Sequence, residues 1–195
     1  MSEVSNWEIV TTQEFPPGGN PLSNPFYGYT ITDLIMPNGQ PAQYHGLRVG
    51  DIVHAGVLEE DLTIHLVQQD RPNLRRAGQG TIPRTLELPG GFVKENLGLA
   101  GSAAQEAREE VKRDPAMVEY LGVLYTSPGT SDEQDHIFMA TLLSPLRGVV
   151  EVDATEEDMG IVSMPFGKAY DMMRSGKRPV VSQTLAAMSM IAARL

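Results

Sequence analysis

Three glutamates, Glu106, Glu109 and Glu110, stand at i, i+3 and i+4 in the run AAQEAREEVKRD. On a helix, at ~100° per residue, they fall within an arc of about 100°. Like charges held so close repel one another, so the arrangement calls for a compensating partner. A hard divalent cation with oxygen ligands would supply it, since Mg²⁺ typically binds through one or two carboxylates plus substrate phosphates. The same spacing also suits a solvated acidic helix face on which Glu109 pairs with Arg113.

The elements that must position these groups can be read on either side. Ser102 followed by Gln105 has the pattern of a capping box, and Pro115 enforces a stop, which predicts a helix over 102–114. Ahead of it, TLEL at 85–88 reads as a short strand running into Pro89-Gly90-Gly91. YGYTITDLIM at 27–36 is β-rich and meets a turn at Pro37-Asn38-Gly39, and a second hairpin is expected across 51–69. Strands are expected at 117–126 and 136–144, joined by SPGTSDEQD, with helices over 165–176 and from Ser182 onward. The first 25 or so residues, closed by PPGGN, read as an irregular arm, and PNLRRAGQGTIPR at 72–84 as a loop. Together this is an α+β chain with mixed β-sheets sandwiched by helices.

Composition narrows the chemistry. At 195 residues and 41% hydrophobic content, the chain suits one domain, or a compact domain with an N-terminal elaboration. A formal charge of −10 argues against a broad grip on nucleic acid or an anionic membrane. With no cysteine, disulfides, thiolate metal sites and cysteine nucleophiles are excluded. MSEVSNWEIV lacks the pattern of a secretory signal, and no run approaches the ~20 apolar residues of a membrane helix, so a soluble cytoplasmic protein is expected. His45, His54, His65 and His136 have no metal-ligand spacing and read as structural.

The segment LPGGFVKENLGLAGSAAQEAREEVKRD, 88–114, resembles the Nudix box, G-x5-E-x7-R-E-U-x-E-E-x-G-U with U aliphatic. With Gly91 in register, Glu106, Ala107, Glu109 and Glu110 fall on the E, U, E and E of its core. Leu97 stands at the first glutamate, Gln105 at the arginine, Lys112 at the final glycine and Arg113 at the last aliphatic position. PFYGYTITDLIMPNG at 25–39, QQDRP at 68–72, LELPGG at 86–91 and SPGTSDEQDHIF at 127–138 resemble the ADP-ribose pyrophosphatase branch of Nudix hydrolases, in the same order. SGKRPVVSQTLAAMSMI at 175–191 resembles the C-terminal helices of that branch.

The resemblance implies a Nudix fold with an N-terminal β-rich extension, divided into residues 1–45, an arm and hairpin region packing on a partner subunit, and 46–195, the hydrolase domain. It implies hydrolysis of the diphosphate linkage of ADP-ribose or a related nucleoside diphosphate sugar, giving AMP (or another NMP) and a sugar phosphate. Mg²⁺, with Mn²⁺ as a substitute, would activate the water and neutralise phosphate oxygens. Glu106 and Glu110 match the principal metal ligands, Glu109 a further ligand or base, and the carbonyl of Gly90 a backbone ligand. Glu133 matches a glutamate that contacts metal or activates water. Arg71 matches an arginine on the substrate's phosphates or terminal ribose, and Glu87 a polar contact near the metals. Phe26 and Tyr44 match aromatics that stack on adenine, and Arg48 a contact donated across a homodimer.

In typical boxes the first glutamate and the arginine form a salt bridge bracing the catalytic loop against the helix. Leu97 and Gln105 replace both partners here, and a joint replacement can be nearly neutral. The other reading left by these departures is a catalytically silent Nudix-fold protein that binds a nucleotide or a protein partner.

Overall fold

The computed structural model describes residues 7–16, 27–74, 80–142, 160–176 and 180–195. The chain divides into two compact units, Met1–Gly50 with Tyr125–Gln134, and Asp51–Leu124 with Asp135–Leu195.

In the first unit, β1 (Glu8–Phe15), β2 (Gly28–Ile35) and β3 (Pro41–Arg48) form an antiparallel sheet in that order. The turn at 37–39 lies where Pro-Asn-Gly predicts it, with Gly39 at φ 80°. The strand β1 departs from the irregular arm expected of the first 25 residues. Its β-branched run Ile9-Val10-Thr11-Thr12 suits a pleated surface, and β2 supplies the register from Glu8↔Ile35 to Phe15↔Tyr29. Along β3, Leu47 donates its N–H to the Thr130 carbonyl and accepts from Asp132 N–H, at 2.8 and 3.2 Å. These bonds fix the 125–134 loop against the strand.

The second unit is built on a mixed sheet. Its strands are β4 (Ile52–Glu59), β5 (Thr63–Asp70), β6 (Arg84–Glu87), β7 (Gly90–Phe92), β8 (Met117–Tyr125), β9 (Gln134–Leu142) and β10 (Gly160–Pro165). The order is β10-β5-β4-β9-β8, with β6 on β5 and β7 on β4; β4 and β9 run parallel, and β4–β5, β4–β7, β5–β6 and β5–β10 antiparallel. The period of two along β4 sorts its side chains into two cores. Val53, Ala55 and Val57 face α1 (Gly98–Val111) with Phe138, Ala140 and Leu142. Leu58, with Ile64, Leu66 and Ile137, packs on α2 (Phe166–Arg174) and α3 (Ser182–Ala192). Gly56 lies beneath α3, where a Cβ would run into the Ile191 side chain. The sheet is thus covered on both faces, the sandwich expected from the element pattern. The strand β10 has no counterpart in the sequence reading; GIVSMP is short, and β5 defines it by pairing.

The central helix differs at both ends from its predicted bounds. It begins at Gly98, four residues early, because Lys94 O accepts the N–H groups of Leu97 and Gly98 at 2.9 and 3.1 Å. Ser102 is therefore not the cap: its hydroxyl donates to Gly98 O at 2.7 Å and accepts Lys94 N–H at 2.9 Å, tying the preceding turn to the helix from inside. At the other end Lys112 closes the helix at φ 60°, ψ 32°, the left-handed conformation that glycine adopts without cost. Its ammonium donates to the Glu109 carbonyl, capping the last turn. Arg113 beyond it reaches Glu59 at 2.9 Å, and Glu59 also accepts from His65 Nε2 at 2.9 Å, while His65 Nδ1 meets the Ser163 hydroxyl at 2.8 Å.

Relief of the left-handed backbone should make Lys112→Gly more stable by about 1 kcal/mol. Urea unfolding at an unchanged m value would show this as a higher midpoint. A lower midpoint would mean that the ammonium cap outweighs the backbone strain.

Candidate active site

One stripe of α1, Ala103, Ala107 and Val111, is buried in the core. The adjoining stripe carries Glu106 and Glu110, which are also buried, 5% and 7% exposed. Carboxylates are seldom buried unless paired, and these two face the turn between β6 and α1. Glu110 Oε2 accepts the Gly90 N–H at 3.0 Å. A Cβ on Gly91 would stand 2.9 Å from both carboxylate oxygens of Glu106. The turn therefore lies close against the acidic stripe, and glycine is required at Gly90, where a Cβ would stand 2.6 Å from the Val53 carbonyl.

Glu109, on the more open side, is held by two donors. Lys94 Nζ lies 2.9 Å from its Oε2 and 3.3 Å from Glu106 Oε1, and the Gln105 amide donates to its Oε1. Glu109 does not pair with Arg113, as the simple helix-face reading has it, because Arg113 lies past the helix end and turns to Glu59. Burial pushes the Glu109 carboxyl up, but the bonds from Gln105 and Lys94 outweigh this and hold it below its ordinary value. Burial likewise works against the Lys94 ammonium, and the hydrogen bond and charge of Glu109, with the charge of Glu106, raise its pKa overall.

The donor set suits a hard divalent cation: three carboxylates, two of them buried, beside a turn whose backbone comes within contact distance. Among the described residues no three histidine or acidic side chains converge on a single point. The cation that Glu106 and Glu109 hold is the Lys94 ammonium.

At the end of β6, buried Glu87 accepts Arg71 Nε at 2.7 Å and Arg71 Nη2 in a fork, and also the Thr85 hydroxyl. Burial raises the Glu87 carboxyl, and these donors more than reverse the effect. The Arg71 side chain stays 45% exposed. Behind the turn, His54 pairs with Gly90 across β4 and β7, and its Nε2 lies 3.4 Å from Asp135 Oδ2. Asp135 is fully buried, and neither of its oxygens has a hydrogen-bond partner.

The remaining sequence candidates belong to the first unit. Tyr44 is 51% exposed and meets Trp7 edge-on at 5.8 Å. Arg48 Nε bonds Asp132 at 3.0 Å, and both Tyr44 and Arg48 line a concavity of about 410 Å³ with Thr30 and Thr32. Glu133 Oε1 accepts the Thr126 hydroxyl at 2.6 Å. Phe26 lies outside the described residues. The structure thus gathers Gly90, Glu106, Glu109 and Glu110, pairs Arg71 with Glu87, and sets Tyr44 beside Arg48. The sequence reading passed over Lys94, took His54 as structural and gave Asp135 no role. Lys94 had a usable signal, as the lone basic residue between Gly91 and Leu97. The pairing of half-buried His54 with buried Asp135 depends on the parallel register of β4 and β9, which no local pattern announces.

The chain is 28% identical over 162 residues to a CMP-5'-(N-acetyl-N-hydroxy-3-aminopropyl)phosphonate hydrolase of Streptomyces rubellomurinus, covering 82% of this chain and 72% of that one. It is 27% identical over 126 residues to an ADP-ribose pyrophosphatase of Bacillus subtilis, covering 65% and 64%. A solved structure described as an ADP compounds hydrolase superposes with a TM-score of 0.76 over 97% of this chain and 94% of the other, at 17% identity, a likeness of fold. Among the described residues no helix is long and apolar enough to cross a membrane. The family model for the NUDIX domain matches residues 51–184, the span that carries the acidic stripe, its glycine turn and the sheet beneath them, and the chain belongs to the Nudix family of hydrolases.

Proposed function

We propose that this Nudix hydrolase cleaves the diphosphate linkage of ADP-ribose or a related nucleoside diphosphate sugar, adding water across the P–O–P bridge to give a nucleoside monophosphate and a sugar phosphate. The observation that carries the reading is the buried pair Glu106 and Glu110 pressed against the Gly90–Gly91 turn. The names of the phosphonate hydrolase and the ADP-ribose pyrophosphatase support it, since each compound contains a nucleoside 5'-phosphate.

Glu106, Glu110 and the Gly90 carbonyl, with Glu109, would hold Mg²⁺, or Mn²⁺ in its place. Such an ion, when bound, supplies a lowered water pKa and charge neutralisation at phosphate oxygens. Glu109 and Glu133 are the two candidates for proton acceptor. Arg71 offers a guanidinium fork to substrate phosphate, with Glu87 fixing its orientation. Tyr44 and Arg48 line a concavity suited to a nucleobase and its ribose, and Phe26 is proposed as a second stacking ring. The exposed Trp7, just before β1, and Ile9 and Val10 on it support a homodimer assembled through this region.

Three outcomes test the reading. With Mg²⁺ present, AMP should be released from ADP-ribose or an NMP from a related nucleotide sugar, and Glu110→Gln should remove this activity. Its cost should exceed the ~10–100-fold typical of outer-shell partners, with circular dichroism unchanged; an active Glu110→Gln enzyme would refute the metal assignment. Arg71→Ala should raise KM more than it lowers kcat, and should also lower the melting temperature, because Glu87 is left buried without its fork. Equal KM values in the two proteins would remove Arg71 from the substrate site. Light scattering should give twice the chain mass, and a monomer at assay concentration would end the dimer proposal.

A further inference from the structure

Lys94 is attached to α1 at three points. Its N–H donates to Ser102, its carbonyl accepts the first two N–H groups of the helix turn, and its ammonium spans Glu106 and Glu109. The positions that would form the usual loop-to-helix salt bridge carry no such contact: Leu97 is 40% exposed, and Gln105 donates to Glu109. The loop-to-helix brace has therefore moved three residues toward the turn, and its polarity is reversed, with the cation on the loop and the anions on the helix. This arrangement has a second effect. The ammonium neutralises two carboxylates of the same set to which the metal is assigned, and it does so while only 36% exposed.

We infer that Lys94 is a resident counter-ion of the α1 carboxylates, bracing the 90–97 turn in the metal-free protein and releasing Glu106 and Glu109 when a divalent cation binds. The exchange rests on the metal assignment proposed above; the brace does not. Lys94 is thus a positioning residue that lowers the affinity for the ion while keeping the site assembled without it. Mutual repulsion among Glu106, Glu109 and Glu110 would otherwise splay the stripe in the absence of metal.

The test uses the full chain after chelator treatment, with Lys94→Met to keep length and remove charge, and Lys94→Arg to restore charge. Without metal, Lys94→Met should melt below the parent and Lys94→Arg close to it. Titration with Mn²⁺, read by electron paramagnetic resonance of the free ion, should show Lys94→Met binding about three- to tenfold more tightly, the scale of one partly exposed ion pair. Saturating Mn²⁺ should close the gap in melting temperature, because the parent then gives up its brace as well. Opposed changes in stability and affinity are the signature, since a merely structural lysine would lose both together. An unchanged melting temperature, or Mn²⁺ binding that weakens in Lys94→Met, would overturn the inference. A gap that persists at saturation would overturn the exchange. Glu110→Gln serves as the control for the metal assignment: if it abolishes Mn²⁺ binding while Lys94→Met binds as the parent does, the assignment stands and the role of Lys94 falls. If the parent itself binds no Mn²⁺, both the exchange and the assignment fall.

Discussion

The second unit depends on one close approach, a backbone without side chains laid against two buried carboxylates. Gly90 donates to Glu110, and Gly91 leaves room for Glu106. Buried carboxylates need bonded or charged neighbours, and a Cβ on Gly90 would run into the Val53 carbonyl of β4. The two cores exist in the right place to enforce the contact. Val53, Ala55 and Val57 set the depth of α1, and α2 with α3 hold the same sheet from behind.

The electrostatics around that contact follow an economy of few cations. Lys94 serves two glutamates, Arg71 forks onto Glu87, and Arg113 reaches Glu59 past the helix end. The acidic helix face that looks unbalanced in sequence is neutralised from outside the helix. This explains why a box lacking its usual glutamate and arginine still presents an ordered stripe.

Much of this could be read from the chain alone. The triplet of glutamates, the glycine turn and the strand before it were legible because each depends on local spacing, and α2 and α3 follow their sequence limits closely. The readings that failed did so where a distant or unusual partner decided the outcome. Ser102 has the chemistry of a cap but is used inside the helix, since Lys94 O already satisfies the first N–H groups. The strand β1 was obscured by the Pro- and Gly-rich stretch that follows it, and β10 by its brevity. A solvated helix face would pair Glu109 with Arg113 four residues on, whereas its salt-bridge partner is Lys94, fifteen residues before it.

The knot of Arg113, Glu59, His65 and Ser163 gathers β4, β5, β10 and the segment leaving α1 at one corner of the sheet. Combined with the backbone of Lys94, which bonds Ser102 and the first N–H groups at the other end, it moors the helix fore and aft. A rod fastened at both ends cannot roll about its axis, so the carboxylate stripe keeps one heading whatever is bound. Variation in sequence is thereby left to the segments around the helix, while the stripe itself stays fixed.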